Sequence, residues 1–135
     1  MNNIDLLMGL DAEKLAEVPT KELKMLRLSQ LTGNDFIVKV KALPAKRFTE
    51  LTSGGVKEKD GSINTAKAYD INVKVALAGL VDPSMKDKDL QEKFGCSTPG
   101  QLFEKIFTGS EISAMADSIT ELSGFSGNVV EEVKN

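Results

Sequence analysis

The sequence predicts an α+β fold: a mainly α-helical single domain with a small N-terminal antiparallel β-hairpin. Three observations predict it. The chain has 135 residues, the size of one domain. Alternation of apolar and polar side chains at period two is confined to one short stretch, Phe36–Lys41. Helical spacing with capping and stop signals recurs through most of the remainder. On this plan residues 1–18 are a helical arm, residues 19–125 the domain and residues 126–135 a polar, flexible tail.

Ile4, Leu7, Met8 and Leu10 recur at helical spacing, Asp11 can cap a further turn carrying Leu15 and Val18, and Pro19 stops the pattern. Such a segment either docks on a partner or packs on its own domain, and the second is the commoner fate. Lys21–Leu31 is rich in helix formers but precedes the turn Thr32-Gly33-Asn34-Asp35. The strand beyond that turn needs a partner, and the segment before it is the nearest one. A hairpin is therefore expected, Thr20–Leu28 against Asp35–Leu43, with tertiary pairing overriding local propensity.

Pro44 closes that strand and opens a short helix, Ala45–Leu51, with Phe48 and Leu51 inward. The polar, glycine-bearing stretch Thr52–Ser62 reads as a flexible loop and lacks the GxxxxGK[ST] spacing of a phosphate-binding loop. A long helix is expected over Thr65–Val81. Its main stripe is Ala66, Tyr69, Val73, Ala76, Leu77 and Leu80, and a second set, Ile71, Val75 and Ala78, lies nearly opposite. A helix apolar on both sides is covered twice, here by other helices of the chain or by another subunit. Asp82-Pro83 ends it. Met85–Phe94 reads as a short helix with Leu90 and Phe94 inward, and its acids lack the spacing and central glycine of a calcium loop. Thr98-Pro99 is a helix start, and Leu102, Phe103, Ile106 and Phe107 share one side of the helix that follows. The last helix is expected to open on Ser110 and to bury Ile112, Met115, Ile119 and Leu122. Gly124 suits the left-handed position that ends a helix, with Phe125 folding back towards Ile119.

Composition then removes whole classes of chemistry. With no histidine there is no Ser-His-Asp triad, no imidazole base and no histidine-ligated zinc. A single cysteine rules out an internal disulfide, a CxxC redox pair and any four-cysteine metal centre. Cys96 reads as a small packing residue rather than an activated thiol. The Asp and Glu residues form no recognisable catalytic signature, so the chain is not expected to be an enzyme, and no cofactor is implied. No run of about 18 apolar residues is present to span a bilayer, and Met1-Asn2-Asn3-Ile4-Asp5 lacks the basic start of a secretory signal. A cytoplasmic protein without a membrane partner is expected.

Charge is uneven. Residues 21–47 hold seven basic groups against Glu22 and Asp35, a local +5 within a chain whose total is −3. A basic hairpin of this kind suits nucleic acid, which makes a small nucleic-acid-binding or regulatory module the rival reading. Lysines on edge strands also serve simply to block sheet-to-sheet aggregation, and the chain is acidic overall. Nucleic acid is therefore not the expected partner.

Several of these elements, taken in order, resemble the XkdN-like family of phage tail assembly chaperones from phages and prophages of Gram-positive bacteria. Pro19-Thr20-Lys21 leads into two strands, and the second runs into Lys41-Ala42-Leu43 and a short helix. A long helix ends in Leu80-Val81-Asp82-Pro83, followed by Lys88-Asp89-Leu90-Gln91-Glu92-Lys93-Phe94-Gly95 and Thr98-Pro99. The pattern closes with Phe107-Thr108-Gly109-Ser110-Glu111-Ile112 and Ile119-Thr120-Glu121-Leu122-Ser123-Gly124-Phe125. The family often has Pro-Gly-Glu where this chain has Gly109-Ser110-Glu111.

The resemblance implies a non-enzymatic protein that coats the long, helix-rich tape measure protein before the tail tube polymerises, and that is absent from the finished virion. It also implies self-association along that client, and in some members a frameshift-extended form, for which the polar C-terminus here is the natural point of extension. A structural tail component is a further alternative. Candidate contact residues are Leu102, Phe103, Ile106, Phe107 and Phe125, together with the Ile71 and Val75 side of the long helix.

Overall fold

The alternation at Phe36–Lys41 becomes the central strand of the molecule. In the computed structural model, which describes residues 2–125, 127 and 129–134, β2 (Ile37–Lys41) buries Val38 and Val40 completely and exposes Ile37 and Lys41. On one side it pairs antiparallel with β1 (Thr20–Lys24), in the register Thr20↔Lys41 to Lys24↔Ile37. On the other it pairs antiparallel with β3 (Leu80–Asp82), with a register irregularity between Lys39 and Val40. The sheet order is β1-β2-β3.

Two expectations are corrected here. The hairpin does not run Thr20–Leu28 against Asp35–Leu43, because β1 stops at Lys24 and residues Leu26–Thr32 form a helix, α3. Both local signals were right, each for part of the stretch. Strand pairing holds 20–24, and the helix formers after it hold 26–32. Gly33 closes α3 in the left-handed region at φ 73°, and the Ser29 hydroxyl accepts the Phe36 amide at 2.8 Å to bring the chain back to the sheet. The long helix is also shorter than Thr65–Val81. It ends at Gly79, and Leu80–Asp82 leaves it directly as β3. A three-residue strand carries too little periodicity to be seen against a helical pattern.

The remaining helices pack around one face of the sheet. They are α4 (Ala45–Thr52), α5 (Thr65–Gly79), α6 (Lys88–Lys93), α7 (Pro99–Ile106) and α8 (Gly109–Leu122). Together the described residues form a single-domain α+β fold whose hairpin lies near the N-terminus. The core joins Val38 and Val40 to Phe48, Val75, Ala76, Leu102, Phe103, Phe107, Ile112, Met115 and Ile119. Both apolar sides of α5 pack on their own chain, through α4, α7, α8 and β2, with Ala66 and Tyr69 left exposed near the helix start and Leu77 and Leu80 half-buried. Its buried face is Val75, Ala76 and Gly79, midway between the two stripes that spacing alone suggests. Gly79 is where α5 and α8 come closest: a Cβ there would sit 2.7 Å from Ile119 Cγ1, inside van der Waals contact with a fully buried side chain.

Capping explains where the helices start and stop. Thr98 caps α7, accepting the Gln101 amide at 3.1 Å, with Pro99 at the first turn. The opening residue of α8 is Thr108 rather than Ser110. Thr108 Oγ1 accepts the Glu111 amide, and Glu111 Oε1 accepts the Thr108 amide at 2.8 Å, a reciprocal box that a reading from Ser110 misses by two residues. The predicted Schellman ending is present: Gly124 has φ 85°, its N–H donates to Glu121 and the Phe125 N–H donates to Thr120. Its expected side-chain partner is corrected: Phe125 stacks on Phe48 of α4, ring centroids 4.3 Å apart, where Ile119 was expected. In the segment expected over Met85–Phe94, helix α6 covers only Lys88–Lys93. It turns Gln91 inward, its amide donating to the Met85 carbonyl at 2.7 Å, while Phe94 stays partly exposed. The expected frayed tail over 126–135 includes residues 126, 128 and 135, which lie outside the described residues.

Candidate interaction surfaces

The candidate contact residues divide sharply by burial. Val75, Leu102, Phe103 and Phe107 lie in the core, so their side chains present no surface in this fold. Ile71 and Ile106 are partly buried against it. Phe125 is accessible, at 45 % exposure. The apolar stripe of α7 is thus what an ordinary helix face becomes when its own domain covers it.

The opposite holds at the N-terminus. α1 (Asn3–Met8) and α2 (Ala12–Leu15) bury no residue, and every described residue from 2 to 20 is exposed. Ile4, Leu6, Leu7, Met8, Leu10, Leu15 and Val18 are each more than half exposed. The commoner fate of an amphipathic terminus, packing on its own domain, is not the one taken here. Each short helix is capped by its own side chain, Asn2 accepting the Asp5 amide and Asp11 the Glu13 amide, both at 2.9 Å. Beyond them the chain is fixed to the sheet, where the Ala42 amide donates to the Pro19 carbonyl at 2.9 Å.

Two concave features border apolar side chains. One, of about 380 Å³, lies where α5 passes into β3 and faces the start of α7, lined by Leu77, Leu80, Ser84, Met85, Lys86 and Pro99. The other, of about 400 Å³, lies beside the root of the N-terminal segment. Its floor is Ala42, Leu43, Pro44 and Ala78, and Lys41 and Arg47 stand at its rim.

The basic segment 21–47 is partly neutralised by Glu111 and Glu121, far away in sequence, and by its own Asp35. Arg27 spans the α7–α8 junction, donating to Glu111 through Nη2 at 2.8 Å and Nε at 3.3 Å, and to the Ile106 carbonyl at 2.7 Å. Lys24 meets Asp35 at 3.0 Å and Lys21 meets Glu121 at 3.9 Å. Burial raises the Glu111 pKa, but the hydrogen bonds from Arg27 and from both donors of Thr108 outweigh it, so the carboxyl is held below its ordinary range. The hydrogen bond to Glu111 raises Arg27 in turn. Sequence reasoning placed Glu111 at a helix start and missed its partner, 84 residues away. Lys41, Lys46 and Arg47 have no ion-pair partner within 4.0 Å among the described residues.

Among the described residues no three metal-ligating side chains cluster, and no buried side-chain nitrogen or oxygen lacks a partner. Cys96 is partly buried, with its thiol 3.5 Å from the Phe94 carbonyl. No helix among the described residues is long and apolar enough to cross a membrane.

The decisive comparison concerns almost the entire chain. Residues 4–134 match the family described as Phage XkdN-like tail assembly chaperone protein, TAC. The chain belongs to that family. The match takes in the exposed N-terminal helices as well as the packed domain, so the surface apolar segment lies inside the family's pattern. The fold is similar to that of the crystal structure of the protein yqbn, a Northeast Structural Genomics Consortium target, with a TM-score of 0.56. The two are 21 % identical over 82 % of this chain and 88 % of that one. No curated protein matches the sequence. Membership in a tail assembly chaperone family implies protein partners in tail assembly.

Proposed function

We propose that the protein is a non-enzymatic chaperone that binds the tape measure protein of its phage and keeps it soluble in the host cytoplasm until the tail is assembled. On this reading residues 19–125 are the client-binding domain, residues 1–18 a separate arm, and the protein is absent from the finished virion. The observation that carries the reading is the groove between α5, β3 and α7, which leaves Leu77, Leu80 and Pro99 half-buried around the core residue Met85 in a member of this family. A long helical client needs its apolar stripe covered temporarily, and a short apolar groove does this by receiving side chains spaced three or four residues apart. Modest affinity at each site suffices when one client offers many sites. Ile71, Ile106 and Phe125 are the accessible members of the sequence-derived contact set and serve as flanking contacts.

Co-expression tests the reading directly. The tape measure protein should be insoluble alone and should become soluble and co-purify when this chain is present. Ser84→Trp fills the groove from an exposed position and should abolish co-purification while leaving the melting temperature unchanged. A client that stays insoluble with the wild-type chain, or that co-purifies equally well with the filled groove, overturns it. Detection of the chain in purified virions would favour a structural tail component instead.

A further inference from the structure

We propose that the N-terminal arm of one copy docks into the basic-rimmed notch at Lys41 and Arg47 of a second copy, so that the protein assembles through arm exchange. The arm has the wrong properties for an isolated segment. Helices of six and four residues are far below the length of about 12–15 at which helices hold themselves in water, and these two have no tertiary cover. Seven large apolar side chains face solvent along it, which is the composition of a segment that is normally covered.

Charge identifies the cover. Residues 2–18 carry Asp5, Asp11, Glu13 and Glu17 against the single cation Lys14. No member of that acidic set has an ion-pair partner among the described residues, and neither do Lys41 and Arg47, which line the notch. Glu13 lies in α2 and Glu17 two residues beyond its end, so the two carboxylates flank Leu15 along the chain. The notch offers the matching halves, an apolar floor of Ala42, Leu43, Pro44 and Ala78 below the cations Lys41 and Arg47. An incoming arm therefore lays Leu15 of α2 on the floor and the flanking Glu13 and Glu17 on the rim.

The chain's own arm is badly placed for its own notch. Val18 already lines it, and only Ala16–Pro19 separate α2 from β1. Pro19 fixes its own backbone and disfavours a helical Val18, and no described residue of the arm before Val18 lines the notch. A second copy has no such restriction. One-way exchange propagates a chain of subunits, and reciprocal exchange closes a dimer.

The proposal goes beyond client binding, and its test uses the full-length protein alone, so its failure leaves that reading standing. Sedimentation velocity over a concentration series should show assembly that weakens in about 0.5 M salt, where the screening length is only a few ångströms. Lys41→Glu with Arg47→Glu, or Glu13→Lys with Glu17→Lys, should each raise the half-assembly concentration about tenfold or more. The four changes together should bring it back to within about threefold of wild type, because the charges are then exchanged rather than lost. Leu15→Asp, at an exposed site, should abolish assembly without lowering the melting temperature, which guards against a misfolded charge variant. A wild-type monomer throughout the series, assembly indifferent to both charge reversals, or the absence of rescue overturns the proposal. So does a monomer whose arm resists limited proteolysis, since that places the arm on its own domain.

Discussion

Helix α8 and the N-terminal segment carry apolar side chains at the same helical spacing, yet they meet opposite fates. In α8, Ile112, Met115 and Ile119 are sealed against α5 and the sheet. In the segment, Ile4, Leu7 and Met8 face solvent. Propensity does not separate them, and neither does capping, since both begin at a side chain that accepts a backbone amide. The difference lies in connection. α8 follows α7 through a tight turn that leaves it no choice of neighbour, whereas the segment joins the domain only at one sheet edge through Pro19. Periodicity reports that a face must be covered; the connection decides whether the same chain supplies the cover.

Substitutions turn that contrast into numbers. The largest effect is expected in the core: Phe103→Ala should cost about 3–5 kcal/mol in urea unfolding, because it empties a site with no exposure. Next comes Gly79→Ala, expected to cost about 1–3 kcal/mol, because the added methyl collides with Ile119 at the closest approach of α5 and α8. A neutral or stabilising result would show that Ile119 has room to move. Glu111→Gln should act mainly through pH. The Glu111 pKa is depressed in the folded state, so its contribution is present above the ordinary carboxylate range and is lost as pH falls through the depressed value. The wild type should therefore lose more stability than the variant on acidification through and below that range, as read by melting temperature against pH. The smallest effect is expected at the arm. Leu7→Ala should change the stability of the folded domain by less than about 0.5 kcal/mol, and a larger loss would mean that the arm packs on its own domain after all.

The fold was legible in the sequence where a pattern ran long enough to dominate its neighbours. β2, α4, α7 and the Schellman end of α8 follow from alternation, Pro44, Thr98-Pro99 and Gly124. Short elements were not legible. The three residues of β3 looked like the last turn of α5, and α3 was hidden inside a stretch whose first residues pair as a strand. Surfaces were harder still. Phe103 and Ile106 stand on the same side of one helix, yet Phe103 is fully buried and Ile106 only partly so, a difference that spacing does not carry. Pairings across the chain, Arg27 with Glu111 above all, leave no local trace because each residue is ordinary in its own segment.

One hydrogen bond has a use of its own. The Ala42 amide donates to the Pro19 carbonyl, and that link is where the arm's root meets the strand next to the notch floor. A bond at a junction opens by local fraying rather than by global unfolding. The Ala42 amide is therefore a built-in exchange reporter. Its deuterium uptake should slow when the arm is held and quicken when the arm is pulled away, with no label placed on the protein.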